Sequence, residues 1–140
     1  MPRIDFYILP NRTVNGRLFL ACRLAEKAYG LGHTLYIHAE SAEQARVLDD
    51  LLWTFRAGSF IPHDLCPVTG EAPPVVIGWG EDPDVAAEVL INLTDKVPAF
   101  FERFARVAEL VDQDPQTLAH CRQRFRFYRE RGYTPGSHRL

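Results

Sequence analysis

Apolar positions along this chain come in short blocks, and the spacing within the blocks alternates between strand-like and helix-like periods. Ile4-Asp5-Phe6-Tyr7-Ile8-Leu9 is a β-prone run stopped by Pro10, which predicts a buried strand. From Val14 to Tyr29, Leu18, Ala21, Cys22, Ala25 and Ala28 recur on one helical face, with Arg23 and Lys27 away from it and Arg17 at its rim. Gly30 and Gly32 suit the left-handed turn that ends such a helix. Thr34-Leu35-Tyr36-Ile37-His38-Ala39 is apolar on both faces for most of its length, as a central strand should be. Ser41 with Gln44 has the spacing of a capping box, and the helix it opens runs to about Phe55 with Ala45, Leu48, Leu51 and Leu52 inward.

Arg56 to Pro74 reads as one long connection, because Gly58, Gly70 and four prolines break regular structure. Val75–Trp79 and Val89–Leu93 follow as a third and a fourth strand. A short helix is predicted from Pro98 to Phe104, with proline in its first turn. Arg106–Val111 reads as a fifth strand. Asp114-Pro115 is an N-cap with proline at the first helical position, and Gly132 closes the helix it opens. Strands interleaved with helices predict an α/β fold: a single domain over residues 1–140, with a largely parallel central sheet flanked by helices.

Length and composition fit that reading. With 140 residues, 46% of them hydrophobic and 24% charged, the chain is globular and one domain long. It has no apolar run of about 18 residues and no N-terminal signal pattern, so a cytoplasmic location is expected. Cys22, Cys66 and Cys121 are too few and too scattered for a disulfide framework or a zinc ribbon.

Familiar catalytic patterns are missing. The turn after the first strand, Pro10 to Gly16, carries none of the glycine patterns that let a backbone approach a pyrophosphate. No nucleophile elbow occurs. His63 and Cys66 supply two potential ligands where structural zinc takes four, so they read as a turn cap and a small buried side chain. The acidic pairs Asp49-Asp50 and Glu81-Asp82 read as solvated surface. No catalytic residue, metal or cofactor is expected.

Charge points elsewhere. Residues 1–114 carry ten basic and seventeen acidic side chains, whereas residues 115–140 carry six arginines and one glutamate. A basic end on an acidic body suggests a local docking site for an anionic partner. In the last helix, Leu118, Cys121, Phe125 and Tyr128 share the arc expected to face the core. Arg122, Arg126 and Arg129 form a stripe beside it, while Arg124, Phe127 and Arg131 fall on other sides. Three readings are open: a solvated face, a nucleic-acid surface, and a site for an acidic peptide with an apolar anchor.

Beyond these patterns the chain resembles a known family over nearly its whole length. Asp5–Leu9, Leu52-Trp53, Ser59-Phe60-Ile61-Pro62-His63, Pro74–Trp79, Val89–Leu93 and Arg122–Arg129 with Gly132-Tyr133, taken in order, resemble the chi subunit of bacterial DNA polymerase III holoenzyme. The resemblance implies a nucleotide-binding-like α/β fold without a phosphate loop, and a non-catalytic adaptor in DNA replication. One surface would bind the psi subunit of the clamp loader. Another would bind the acidic C-terminal tail of single-stranded DNA-binding protein, giving indirect contact with single-stranded DNA.

Mapped onto this sequence, the tail site is Arg122, Phe125, Arg126 and Arg129, with Val111 lining the pocket and Gly132 and Tyr133 at its end. Phe125 stands where the family can carry Tyr, which leaves an apolar contact only. The psi surface maps to Trp53, Phe60, Ile61 and Pro62. The alternative is a direct single-stranded nucleic-acid-binding domain or a degenerate nuclease.

Overall fold

The computed structural model describes residues 1–140. The strands are β1 (Arg3–Ile8), β2 (Leu35–Ala39), β3 (His63–Leu65), β4 (Val75–Trp79), β5 (Val89–Asn92), β6 (Arg106–Val111) and β7 (Gly136–Arg139). They form one sheet in the order β3-β4-β2-β5-β6-β1-β7, and every neighbouring pair is parallel. The helices are α1 (Gly16–Gly30), α2 (Ala42–Thr54) and α3 (Pro115–Glu130). This is the expected α/β architecture. No helix is long and apolar enough to cross a membrane.

The two faces of the sheet carry two cores. On one side Leu20, Ala21 and Ala25 of α1 and Ala45, Leu48 and Leu52 of α2 pack on Leu35, Ile37, Ile77, Ile91 and Leu110. On the other, Tyr128 of α3 and Phe101 and Phe104 pack on Ile4, Phe6, Tyr36, Leu90 and Val107. Central strands β2 and β4 are buried on both faces, which is why their sequences are almost continuously apolar.

Local signals explain the starts of α2 and α3. Ser41 Oγ accepts from the Gln44 N–H at 3.0 Å, and Gln44 Oε1 accepts from the Glu40 N–H at 2.9 Å, so the box closes one residue further back than predicted. Asp114 Oδ2 accepts from the Thr117 N–H at 3.0 Å, with Pro115 following as expected.

Three sequence expectations need correction. The stretch Pro98–Phe104 forms only one 3₁₀ turn, Phe101–Arg103, because its aromatics are pulled onto the sheet rather than along a helix axis. The connection from Arg56 to Pro74 contains β3, which pairs with β4 through His63↔Val75 and Leu65↔Ile77. The tail after Gly132 contains β7, which pairs with β1. Both missed strands are short edge strands without hydrophobic alternation, so their pairing is tertiary in origin.

β7 is held from its inner side. His138 Nε2 lies 2.8 Å from Asp5 Oδ1, and the His138 ring stacks on Tyr7 at 4.8 Å. Gly136 lies opposite Asp5, where a Cβ would sit 2.8 Å from Asp5 Oδ1. Only glycine lets the strand approach that carboxylate.

Candidate functional site

The orientation of α3 is set by a buried carboxylate. Glu109 of β6 is 0% exposed and Arg124 is 3% exposed. Arg124 Nε donates to Glu109 Oε1 at 3.0 Å, Tyr128 Oη donates to Oε2 at 2.6 Å, and Asn92 Nδ2 donates to Oε1 at 2.9 Å. A second Arg124 nitrogen donates to the Asp95 carbonyl at 3.0 Å. Burial pushes the Glu109 carboxyl above its ordinary range, against the pull of Arg124, Tyr128 and Asn92. Burial and the neighbouring Glu109 likewise raise the Tyr128 hydroxyl, which remains a donor.

This network corrects the predicted core stripe of the helix. Arg124 and Tyr128 are its buried residues, while Leu118, Cys121 and Phe125 are only partly buried. At 100° per residue, the helix is rolled by roughly 60° from the arc its apolar residues predict. The pull comes from Glu109, whose buried carboxyl group needs hydrogen-bond donors, and the Arg124 guanidinium and Tyr128 hydroxyl supply them. An acid inside the apolar run of β6 was the signal that could have revealed this.

The roll has a geometric result. Arg122, Arg126 and Arg129 end up roughly 150° around the helix from the Arg124–Tyr128 side. All three are exposed. None makes an ion pair, whereas Arg131 reaches Glu102 at 4.0 Å and lies over the Phe127 ring at 4.5 Å. Phe125 sits on the shoulder between the two sides, 5.4 Å from the Phe6 ring.

Next to Phe125 is an apolar notch of about 220 Å³, lined by Phe6, Ile8, Cys121, Arg122, Phe125 and Ser137. A shallower depression of about 450 Å³ continues over Arg122, Phe125, Arg126, Arg129 and Glu130. So α3 presents an unpaired guanidinium row beside an apolar recess. Of the remaining expected tail-site residues, Gly132 ends α3 with φ +90 and Tyr133 packs beneath on Phe101 at 5.6 Å. Val111 is a correction. It is fully buried and lines neither recess, because α3 covers it.

The second expected surface lies at the opposite edge of the sheet. Trp53 is 53% exposed and Phe60 is 78% exposed, unusual values for large aromatics. Pro62 is exposed beside them, but Ile61 is 1% exposed and belongs to the α1–α2 core, which corrects its assignment to the surface patch. Apolar Ile61 is the anchor that ties this loop down. Ser59 Oγ adds a bond to Glu26 Oε2 at 2.8 Å.

His63, expected from sequence only as a turn cap, also positions Trp53. The two rings lie 4.3 Å apart. The His63 ring nitrogens face the Ile61 carbonyl at 2.6 Å and Asp49 Oδ1 at 3.1 Å. No three His, Cys, Asp or Glu side chains come together in a way that could hold a metal ion. Burial raises all three thiols, that of Cys22 to about 12, so none is a thiolate at neutral pH.

With this geometry in hand, comparison with known proteins is specific. Residues 1–136 match the family model described as DNA polymerase III chi subunit, HolC. The DNA polymerase III subunit chi of Pseudomonas aeruginosa is 47% identical over 140 residues, covering 100% of this chain and 98% of the relative. That of Escherichia coli is 31% identical over 142 residues, covering 95% of each.

Among solved structures, T4 UvsW superposes with a TM-score of 0.68 at 11% identity, covering 99% of this chain and 41% of that one. The C-terminal domain of the DEAD-box protein Dbp5 superposes with a TM-score of 0.64 at 10% identity, covering 98% of this chain and 90% of that one. These two likenesses concern the fold alone. The full-length sequence match goes further: this chain belongs to the DNA polymerase III chi subunit family, whose role in DNA replication is that of an accessory subunit.

Proposed function

We propose that this chain is a non-catalytic adaptor that binds the acidic C-terminal tail of single-stranded DNA-binding protein on α3 and the psi subunit at the Trp53–Phe60 edge. It thereby links the clamp loader to coated single-stranded template. The observation that carries the reading is the row of Arg122, Arg126 and Arg129, free of carboxylate partners, along an open depression that meets an apolar notch at Arg122 and Phe125. An arginine fork takes a terminal carboxylate through two hydrogen bonds. Neighbouring arginines attract the aspartates of the tail, and the notch beside Phe125 receives its apolar last side chain.

The placement of the two surfaces supports bridging. They lie toward opposite edges of the seven-stranded sheet, whose edge strands β3 and β7 are about 29 Å apart at ordinary strand spacing, so both partners can be held at once. The acidic balance of residues 1–114 disfavours a direct nucleic-acid coat.

Gel filtration tests the reading. The chain should co-elute with intact single-stranded DNA-binding protein and separate from a version lacking the acidic tail. Co-elution with the truncated protein, or with bare single-stranded DNA, would overturn it. Tail affinity should also fall as salt rises, since the contact is substantially electrostatic.

For the other edge, Phe60→Ala should weaken psi binding by about fivefold or more, roughly 1 kcal/mol, as loss of an exposed aromatic anchor does. Calorimetry on the purified pair reads this directly. Unchanged affinity would remove Phe60 from the interface.

A further inference from the structure

We propose that the free edge of β7 takes part in capture of the acidic tail, which adds to the sheet as an eighth, parallel strand with its terminal carboxylate between Arg122 and Arg139. This inference rests on the tail-binding reading of α3 and goes beyond it, by assigning the edge strand and naming the bound conformation.

The backbone ladder gives the first support. β7 is the last strand of the sheet and has only β1 beside it. The Leu140 N–H donates to the Ile8 carbonyl at 3.0 Å. In a parallel ladder alternate residues turn their N–H and C=O to the same neighbour. Gly136 and His138 therefore face β1 along with Leu140, and the N–H and C=O groups of Ser137 and Arg139 face outward without a strand partner.

The side chains agree. Register pairs Ser137 with Phe6 and Arg139 with Ile8, and Phe6 and Ile8 pack on the α3 side of the sheet. Ser137 and Arg139 thus share that side, and Ser137 already lines the notch. α3 leaves the C-terminal end of β6 and runs back against the strands, placing Phe125 over Phe6. Arg122, one turn earlier, comes level with Ile8 and hence with Arg139. Neither arginine makes an ion pair, and both are exposed.

Arg122 lines the apolar notch, and Arg139 stands two residues beyond Ser137 on the same side of β7, so a carboxylate held between them would sit above an apolar side chain in the notch. A chain ending there runs in the direction of β7, with its upstream acids passing Arg126 and Arg129. The edge is pre-organised from the inside, because Asp5–His138 and the His138–Tyr7 stack hold β7 in place. Extended peptides add to such edges through main-chain bonds, with pockets for alternate side chains.

The test is a calorimetric titration of the whole chain with an aspartate-rich peptide closed by phenylalanine and a free carboxylate. Ser137→Pro removes an outward N–H at an edge position that tolerates proline. It should weaken binding by about five- to tenfold, the effect of one hydrogen bond whose partner is left bare. Arg139→Ala should weaken it several-fold. Single N-methylation along the peptide, read on the unaltered chain, should alternate between weakening and neutral with a period of two residues.

If Arg122→Ala weakens binding while the N-methyl series shows no alternation and Ser137→Pro and Arg139→Ala bind normally, strand addition is wrong and the α3 site stands. If Arg122→Ala has no effect, the α3 reading itself fails, and this one with it. The N-methyl series decides the matter even where Ser137→Pro does not fold.

Discussion

Arg124→Ala lowers the folding stability of this chain by about 3–5 kcal/mol, the range for removing one partner of a buried ion pair. The cause is what stays behind. Glu109 remains fully buried, with only the Tyr128 hydroxyl and the Asn92 amide as donors. The Asp95 carbonyl also loses its bond from Arg124.

The loss depends on pH in a fixed direction. Burial already raises the Glu109 carboxyl above its ordinary value of 4.5, and Arg124 opposes that rise. A raised folded-state value means that the contribution is complete below the ordinary carboxylate range and fades as pH climbs through the folded value. Without the guanidinium the carboxyl rises further, so the deficit grows with pH and shrinks toward about pH 5. Urea unfolding of both proteins across that range reads it. A deficit under about 1 kcal/mol, or one independent of pH, contradicts the network's role. Replacing Glu109, Arg124 and Tyr128 together by apolar residues of similar volume should cost far less, since no charge is then stranded.

Arg122→Ala weakens tail-peptide binding by about 1–3 kcal/mol, roughly five- to 150-fold in Kd. Arg122 is singled out because it alone of the α3 arginines borders both the apolar notch and the open depression. Removing it leaves the peptide carboxylate over an apolar recess with one cation fewer. Arg122→Lys should fall between the two, because an ammonium keeps the charge and loses the planar fork. The folding stability of either variant should match the parent, since Arg122 is exposed and makes no bond within the chain.

These two arginines also mark how far sequence carries. The central strands were legible because strands buried on both faces, such as Leu35–Ala39 and Val75–Trp79, read as apolar runs. The starts of α2 and α3 were legible because Ser41 and Asp114 cap through their own side chains. Edge strands β3 and β7 were not, since His63–Leu65 and Gly136–Arg139 gain strand geometry only from β4 and β1.

At the candidate site, the arginine stripe was visible from helical spacing alone. Which arginine is buried was not, because that depends on Glu109, fifteen residues away in sequence on the facing strand. Val111 and Ile61 failed for a related reason. A residue beside a site in sequence can lie beneath it in space, and both are fully covered.

The most direct measurement is heteronuclear NMR of the labelled chain titrated with the acidic tail peptide. The account predicts saturable shifts at the amides of Cys121, Arg122, Phe125, Arg126 and Ser137, with those around Phe60 unmoved. Shifts that cluster instead around Lys27, Leu31 and His33, where a larger apolar recess of about 320 Å³ lies between α1 and the sheet, would contradict it.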